Sequence, residues 1–185
     1  MHQNSRILAI IGSASKKSSN LLLVKWIAER MKNSLDLHIF NDLKMLPHFD
    51  PELSLENTPQ TILDFRTMVH EAEGILICTP EYVFSIPSGL KNAIEWCIST
   101  TVFSDKPTAL ITASAQGEKG HEELKMIMKT AMCRFQPETT LLIQGIRGKV
   151  DHKENLTDPG TITELNHLLK VFSEMVKQNK IPHDS

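Results

Sequence analysis

Three short stretches carry the side chains that could do chemistry. The first, Gly12-Ser13-Ala14-Ser15-Lys16-Lys17-Ser18-Ser19-Asn20, places hydroxyls at Ser13, Ser15, Ser18 and Ser19 and the amide of Asn20 just ahead of a helical pattern. Free N–H groups and the positive end of the dipole at a helix start favour an anion, and hydroxyls and amides complete a ring of donors around a phosphate. Ordinary N-capping by Ser18 or Ser19 would use the same residues. The second, Thr79-Pro80-Glu81-Tyr82-Val83-Phe84-Ser85, follows an apolar run. Pro80 stiffens the backbone, amides of residues 82–84 could meet a planar ring with polar edges, and Tyr82 and Phe84 could cover apolar surface. Glu81 would serve equally well as a surface charge or an interface ion pair. The third, Ala113-Ser114-Ala115-Gln116-Gly117-Glu118-Lys119-Gly120, offers Ser114 and glycines that permit positive φ and close approach to a ligand.

None of the three is a G-x-G-x-x-G dinucleotide fingerprint or a G-x-x-x-x-G-K-[ST] nucleotide loop. His121-Glu122 is not part of H-E-x-x-H, so a zinc-protease motif is absent, and His121 reads as a surface residue at a helix start. No metal site and no nucleophilic His, Ser or Cys is expected.

The elements that must hold these stretches follow from hydrophobic period. Arg6–Ile11 is a nearly continuous apolar run, which fits a strand covered on both faces, Gly74–Cys78 is a second short apolar run, Pro107–Thr112 reads as a fourth core strand and Thr139–Ile143 as a fifth strand. Leu35–Phe40 alternates, which fits a half-exposed edge strand. Between them lie helical patterns. One carries Val24, Ile27, Ala28 and Met31, with Trp26 packed at the edge of that stripe. A second follows an N-cap at Thr58 with Pro59 in the first helical position, and buries Ile62, Phe65, Val69 and Ala72. A third opens near Pro87 with Leu90, Ala93, Ile94, Cys97 and Ile98 on one face, and Trp96 near it. A fourth buries Leu124, Ile127, Met128, Ala131 and Phe135, its methionines filling gaps. The last starts at a capping box, Thr161 to Glu164, and buries Ile162, Leu165, Leu169, Phe172 and Val176. Residues 41–60 have no clear period, residues 145–160 read as a solvated polar loop, and the tail after Lys180 as frayed.

Five alternations of strand and helix predict a doubly wound α/β fold: a flavodoxin-like three-layer sandwich with a five-stranded parallel sheet in the order 2-1-3-4-5, built as a single domain over residues 1–185. The loops after strands 1, 3 and 4 would then converge on one crevice, where ligands of open parallel sheets bind.

Composition narrows the classes. A net charge of −2 leaves no electrostatic footprint for nucleic acid. No apolar run approaches the roughly 20 residues of a membrane span, and the N-terminus lacks a signal-peptide layout. Cys78, Cys97 and Cys133 are an odd set inside apolar patterns, which fits core thiols in a reducing cytoplasm.

Here a resemblance becomes specific. Gly12-Ser13 with Ser18-x-Asn20, and Thr79-Pro80-Glu81-Tyr82 followed by Ser85-x-Pro87-x-x-Leu90-Lys91-Asn92-Ala93, resemble the two signatures of the NAD(P)H-dependent FMN reductases, which include quinone, azo-dye and chromate reductases. Leu46-Pro47 with Phe49-Asp50 also resembles that family. The resemblance implies that Ser13, Ser18 and Asn20 hold the FMN phosphate, with Ser15 and Ser19 on the same loop. It implies that Pro80, Glu81, Tyr82 and Val83 hold the isoalloxazine edge largely through backbone, and that Ser114 and Gly117 lie beside the ring. It implies an oxidoreductase that passes hydride from NADPH or NADH through FMN to a flavin, quinone or similar small acceptor. It also implies a homodimer or homotetramer whose interface uses the 41–60 loop and the helix over 87–100. The competing reading is a flavin-binding carrier or sensor without NAD(P)H turnover. Three positions depart from the family pattern: Ser15 stands where arginine is common, Val83 where asparagine follows the tyrosine, and Ser88 where glycine follows the proline. A third reading is therefore a chain that has lost FMN.

Overall fold

The computed structural model describes residues 4–15, 17–151 and 155–179. Its centre is a five-stranded, fully parallel sheet in the order β2-β1-β3-β4-β5. The strands are β1 (Ser5–Ile11), β2 (Leu35–Phe40), β3 (Gly74–Thr79), β4 (Thr108–Ser114) and β5 (Thr140–Gln144), and the helices are α1 (Ser19–Met31), α2 (Gln60–Glu71), α3 (Ser88–Ile98), α4 (Glu118–Thr130) and α5 (Pro159–Asn179). The expected order and the edge position of the alternating strand are both found.

The two-residue period of the strands divides the core into two layers. Ile7, Ala9, Ile11, Leu76 and Cys78 point to the face packed by α1 and α5. Leu8, Ile10, Ile75 and Ile77 point to the face packed by α2, α3 and α4. Thus the helix after β1 and the helix after β3 leave the sheet on opposite faces. The carboxyl ends of β1 and β3 are neighbours, and a crevice opens between them.

That junction is tight. Gly12 N donates to Cys78 O at 2.9 Å. A Cβ on Gly12 would lie 2.1 Å from Thr79 Oγ1 and 2.5 Å from Thr79 Cβ. Only glycine lets β1 end here and turn into the first polar loop.

The region 41–60 is anchored to α2 and α3. Asn92 of α3 accepts from Phe49 N at 2.7 Å and donates to Pro47 O at 2.9 Å. Trp96, fully buried, donates its indole N–H to Pro47 O at 2.8 Å and packs edge-on against Phe49. Arg66 of α2 donates to Trp96 O, Ser54 O and Ser99 Oγ, stitching the same loop to the end of α3.

Several local expectations are corrected. Thr58 does not cap α2: its hydroxyl donates to Leu53 O, and Pro59 holds the N-cap position. Ile98 is 52% exposed because α3 ends there, clear of the core. Met128 is buried but Met126, two residues away on the opposite face of α4, is exposed. Ala28, Met31, Ile127, Phe135 and Ile162 are only half-buried. α5 begins before the expected capping box, and Asp158 performs the cap, accepting from Thr161 N at 2.9 Å. Hydrogen bonds from Thr161, then from Lys149, hold the Asp158 carboxyl down at about 2. The tail after Lys180 and the residue Lys16 lie outside the described residues.

Replacing Gly12 with alanine forces Thr79 and the β1–β3 junction apart. Gly12→Ala should lower stability by about 1–3 kcal/mol, read as a drop in the urea midpoint at unchanged m-value.

Candidate functional site

Four loops, not three, meet at the carboxyl edge of the sheet and enclose a crevice of about 560 Å³. A volume of that order lies within the range of about 300–1,000 Å³ typical of small-molecule sites. Ser13, Ser15, Ser18, Ser19 and Asn20 line it from the loop after β1 and the first turn of α1. Pro80, Glu81 and Tyr82 line it from the loop after β3, and Ser114 from the end of β4. Val83 and Gly117, also expected at the site, are not among its lining residues.

The first loop is folded by its own hydroxyls. Ser13 Oγ accepts from Ser15 N at 3.2 Å, Ser15 Oγ from Lys17 N at 3.3 Å, and Ser18 Oγ caps α1 by accepting from Leu21 N at 3.1 Å. A hydroxyl that accepts a backbone N–H still has its own hydrogen to donate. Capping and anion binding are therefore compatible at the same residues. The first-turn N–H groups at Ser19 and Asn20 have no carbonyl within the helix to meet.

Asn20 has another task besides. Only 3% exposed, it donates from Nδ2 to Ala113 O at 3.1 Å and accepts the thiol hydrogen of Cys78 at 3.2 Å. The amide thereby ties together α1 and the ends of β3 and β4. Burial pushes the Cys78 thiol far above its ordinary pKa, which keeps it protonated as the donor this bond requires. Burial also raises Cys97, to about 12, and Cys133, to about 11, so none of the three cysteines is a thiolate nucleophile at neutral pH.

Glu81 is not a free surface charge. Its carboxylate accepts from Gly120 N at 2.7 Å and Gly117 N at 3.3 Å, and so caps the N-terminus of α4. Gly117 sits at φ 95° as the N-cap residue, a conformation that suits glycine. Glu123, on α4, answers by accepting from Ser85 Oγ at 2.6 Å and Ile86 N at 2.8 Å. Ser114 Oγ accepts from Glu81 N at 3.3 Å.

Between these anchors the chain makes a hairpin turn. Tyr82 N and Ser85 O, and Ser85 N and Tyr82 O, are hydrogen-bonded at 2.9 and 3.1 Å. Val83 and Phe84 both have positive φ, 53° and 59°. This is the pattern of a type I′ turn, whose centre normally holds Asn and Gly. A β-branched residue there is strained. Both side chains are exposed, Val83 at 93%. Tyr82 points back toward the first loop, with its hydroxyl 3.3 Å from Ser13 Oγ. It stands between the crevice and a second cavity of about 380 Å³, which Leu43, His48 and Pro87 help to line.

His121 is a correction. It is buried, 7% exposed, and shares a hydrogen bond of 2.9 Å with Thr112 Oγ1 beneath the β4 loop. Burial, then the nearby Lys125, lowers its pKa to about 4.

The fourth loop departs from the solvated polar chain that its composition predicts. It instead makes a short 3-10 turn, Ile146–Lys149, behind Gly145, and Gly145, Ile146, Arg147 and Gly148 line the crevice. A strand end followed by a glycine-containing polar loop is the signal that also marked the loops after β1 and β4. Lys17 also lines the crevice. Hydroxyls and helix-start N–H groups of the loop after β1, with Lys17 beside them and Arg147 across the crevice, suit a phosphate, and Tyr82, Pro80 and Ser114 suit a planar polar ring, so the residues present fit FMN. Among the described residues no group of three or more His, Cys, Asp or Glu could hold a metal ion.

Comparison with known proteins agrees with this geometry. Residues 5–145 match the family model described as NADPH-dependent FMN reductase. The chain is 28% identical to a quinone reductase of Escherichia coli K12, over 98% of this chain and 100% of that one. It is 32% identical to an NADPH:quinone oxidoreductase of Arabidopsis thaliana, over 89% of this chain and 88% of that one. The fold is shared with a flavoenzyme NAD(P)H:(acceptor) oxidoreductase from Paracoccus denitrificans, with a TM-score of 0.76 at 20% identity, covering 95% of this chain and 98% of that one.

Two outcomes are expected. Val83→Asn, which suits positive φ, should raise stability by about 1 kcal/mol in urea unfolding, whereas Val83→Ile should not. His121 binds its proton less readily folded than unfolded. Its contribution is therefore complete above the unfolded pKa of about 6.5 and is lost as pH falls toward 4. Urea midpoints measured from pH 6.5 down to 4.5 should fall more steeply for the native protein than for His121→Gln.

Proposed function

The chain belongs to the NADPH-dependent FMN reductase family, and we propose that its four-loop crevice binds FMN, takes reducing equivalents from NADPH or NADH, and delivers them to a quinone or free flavin. The carrying observation is that the hydroxyl-lined start of α1 and the Pro80–Tyr82 and Ser114 wall face one cavity. Bound FMN supplies the redox chemistry, two-electron transfer between a nicotinamide and an acceptor.

The chain's own groups bind and position. Ser13, Ser15, Ser18 and Ser19 offer hydroxyl hydrogens to the phosphate, and the α1 start offers backbone donors. Asn20 holds the floor of the crevice through its bonds to Ala113 and Cys78. Glu81 and Ser114 fix the backbone that meets the ring edge, and Gly117 lets α4 start beneath it. Val83 acts only through the turn that aims Tyr82. The departure at this position removes a side-chain donor but leaves backbone donors in place. A non-catalytic carrier is disfavoured, since the relatives named above are reductases.

The assembly proposed is a homodimer or homotetramer. Met45, Leu55, Leu63 and Ile98 form an exposed apolar set on the 41–60 loop, α2 and the end of α3, which supports an interface there. The location proposed is the cytoplasm. Its support is that the three cysteines are unpaired. Among the described residues, no helix is long and apolar enough to cross a membrane.

The test is optical. Protein mixed with FMN and desalted should keep a yellow chromophore that NADPH bleaches in the absence of oxygen. Retained colour that does not bleach would indicate a carrier, and colourless protein would overturn flavin binding. In the same preparation, light scattering should give two or four times the chain mass of 20.9 kDa; a monomeric mass would refute the assembly.

A further inference from the structure

We propose that Arg147, on the turn after β5, is the phosphate-binding arginine of this chain, reaching the crevice from the opposite rim to the loop after β1. The proposal rests on the reading of the crevice as an FMN site.

A phosphate held only by hydroxyls and helix-start N–H groups lacks a full countercharge, and bidentate arginine supplies charge and geometry together. Among the described residues, the loop after β1 brings Ser13, Ser15, Ser18 and Ser19 to the crevice but no arginine. Among the described residues, the charged groups lining the crevice are Lys17, Glu81 and Arg147. Glu81 is committed to the N-terminus of α4. Lys17 is a point charge on a flexible stem.

Arg147 is placed and available. Gly145, at φ 63°, turns the chain at the end of β5, and its N–H donates to Ala115 O at 3.2 Å, tying the turn to the loop after β4. Ile146 is buried in the layer shared with α1 and α5, so the backbone beside it is pinned at the crevice wall. The next side chain, Arg147, is exposed and lines the same cavity as Ser15, Ser18 and Ser19. Among the described residues its guanidinium makes no hydrogen bond or ion pair. A cation held at a donor-rich cavity with no protein partner is arranged for an anion from outside.

The experiment compares flavins that differ only by the phosphate. Dissociation constants for FMN and riboflavin are measured by flavin fluorescence for the native protein, Arg147→Gln and Arg147→Lys, with circular dichroism as the fold control. Arg147→Gln should weaken FMN by about tenfold or more, leave riboflavin within about twofold, and flatten the salt dependence of FMN binding; Arg147→Lys should fall between. Equal weakening of both flavins would mean the turn shapes the cavity without meeting phosphate, and would overturn the proposal. Unchanged FMN affinity with a raised KM for NADPH but not NADH would assign the arginine to the nicotinamide 2′-phosphate, and would also overturn it. Failure of the native protein to bind FMN would overturn the flavin site itself, and this inference with it.

Discussion

Glu81 and Glu123 face each other across the seam between the β3 loop and α4, and each carboxylate accepts two hydrogen bonds from the other's side. Glu81 takes Gly117 N and Gly120 N, and Glu123 takes Ile86 N and the Ser85 hydroxyl. Hydrogen bonds to a charged group contribute about 1.5–3 kcal/mol each, and a carboxylate at a helix start gains a little more from the dipole. The exchange closes a frame. With both ends of the segment 81–86 fixed to one helix, the turn between them is over-determined. That is the condition under which a strained backbone persists. Positive φ at Val83 and Phe84 is the visible result.

The frame decides what faces the crevice. Tyr82 N and O are committed to Ser85, so the ring of Tyr82 has little choice but to lean over the sheet edge toward Ser13. On the other side, the Asn20 amide fixes the start of α1 to β3 and β4. One carboxylate exchange and one buried amide thus hold three loops at fixed separation. The crevice is a gap between independently anchored loops.

The sheet order and most core residues were legible because periodicity and burial are local records of which face a residue takes. Ile62, Phe65, Val69, Leu90 and Leu165 are buried where the spacing places them. The crevice loops were legible because strand ends with small polar residues have few other uses. What sequence did not yield was pairing across distance. Glu81 looks like any exposed acid until α4 is placed above it. His121 looks like a helix-start residue until Thr112 is found beneath it. Thr58 and Thr161 carry capping signals, but the loops before them supply other partners. The β5 turn is masked in the sequence by the charged residues that follow it, whose composition reads as solvated chain.

Divergence within this fold follows from the same division of labour. Binding groups in the crevice are mostly backbone donors and small hydroxyls, set by where the loops are anchored. A side chain such as that at position 15 or 83 can therefore change without moving the donors beside it, provided the anchors at Asn20, Glu81 and Glu123 stay. Lost charge can be resupplied from any loop that ends on the same edge of the sheet, because all parallel strands deliver their loops to one side. The β5 turn is one such source, since it lines the same crevice as the start of α1. On the proposal made for Arg147, a cation on that turn would restore charge to a crevice whose first loop is rich in serine, without altering the fold.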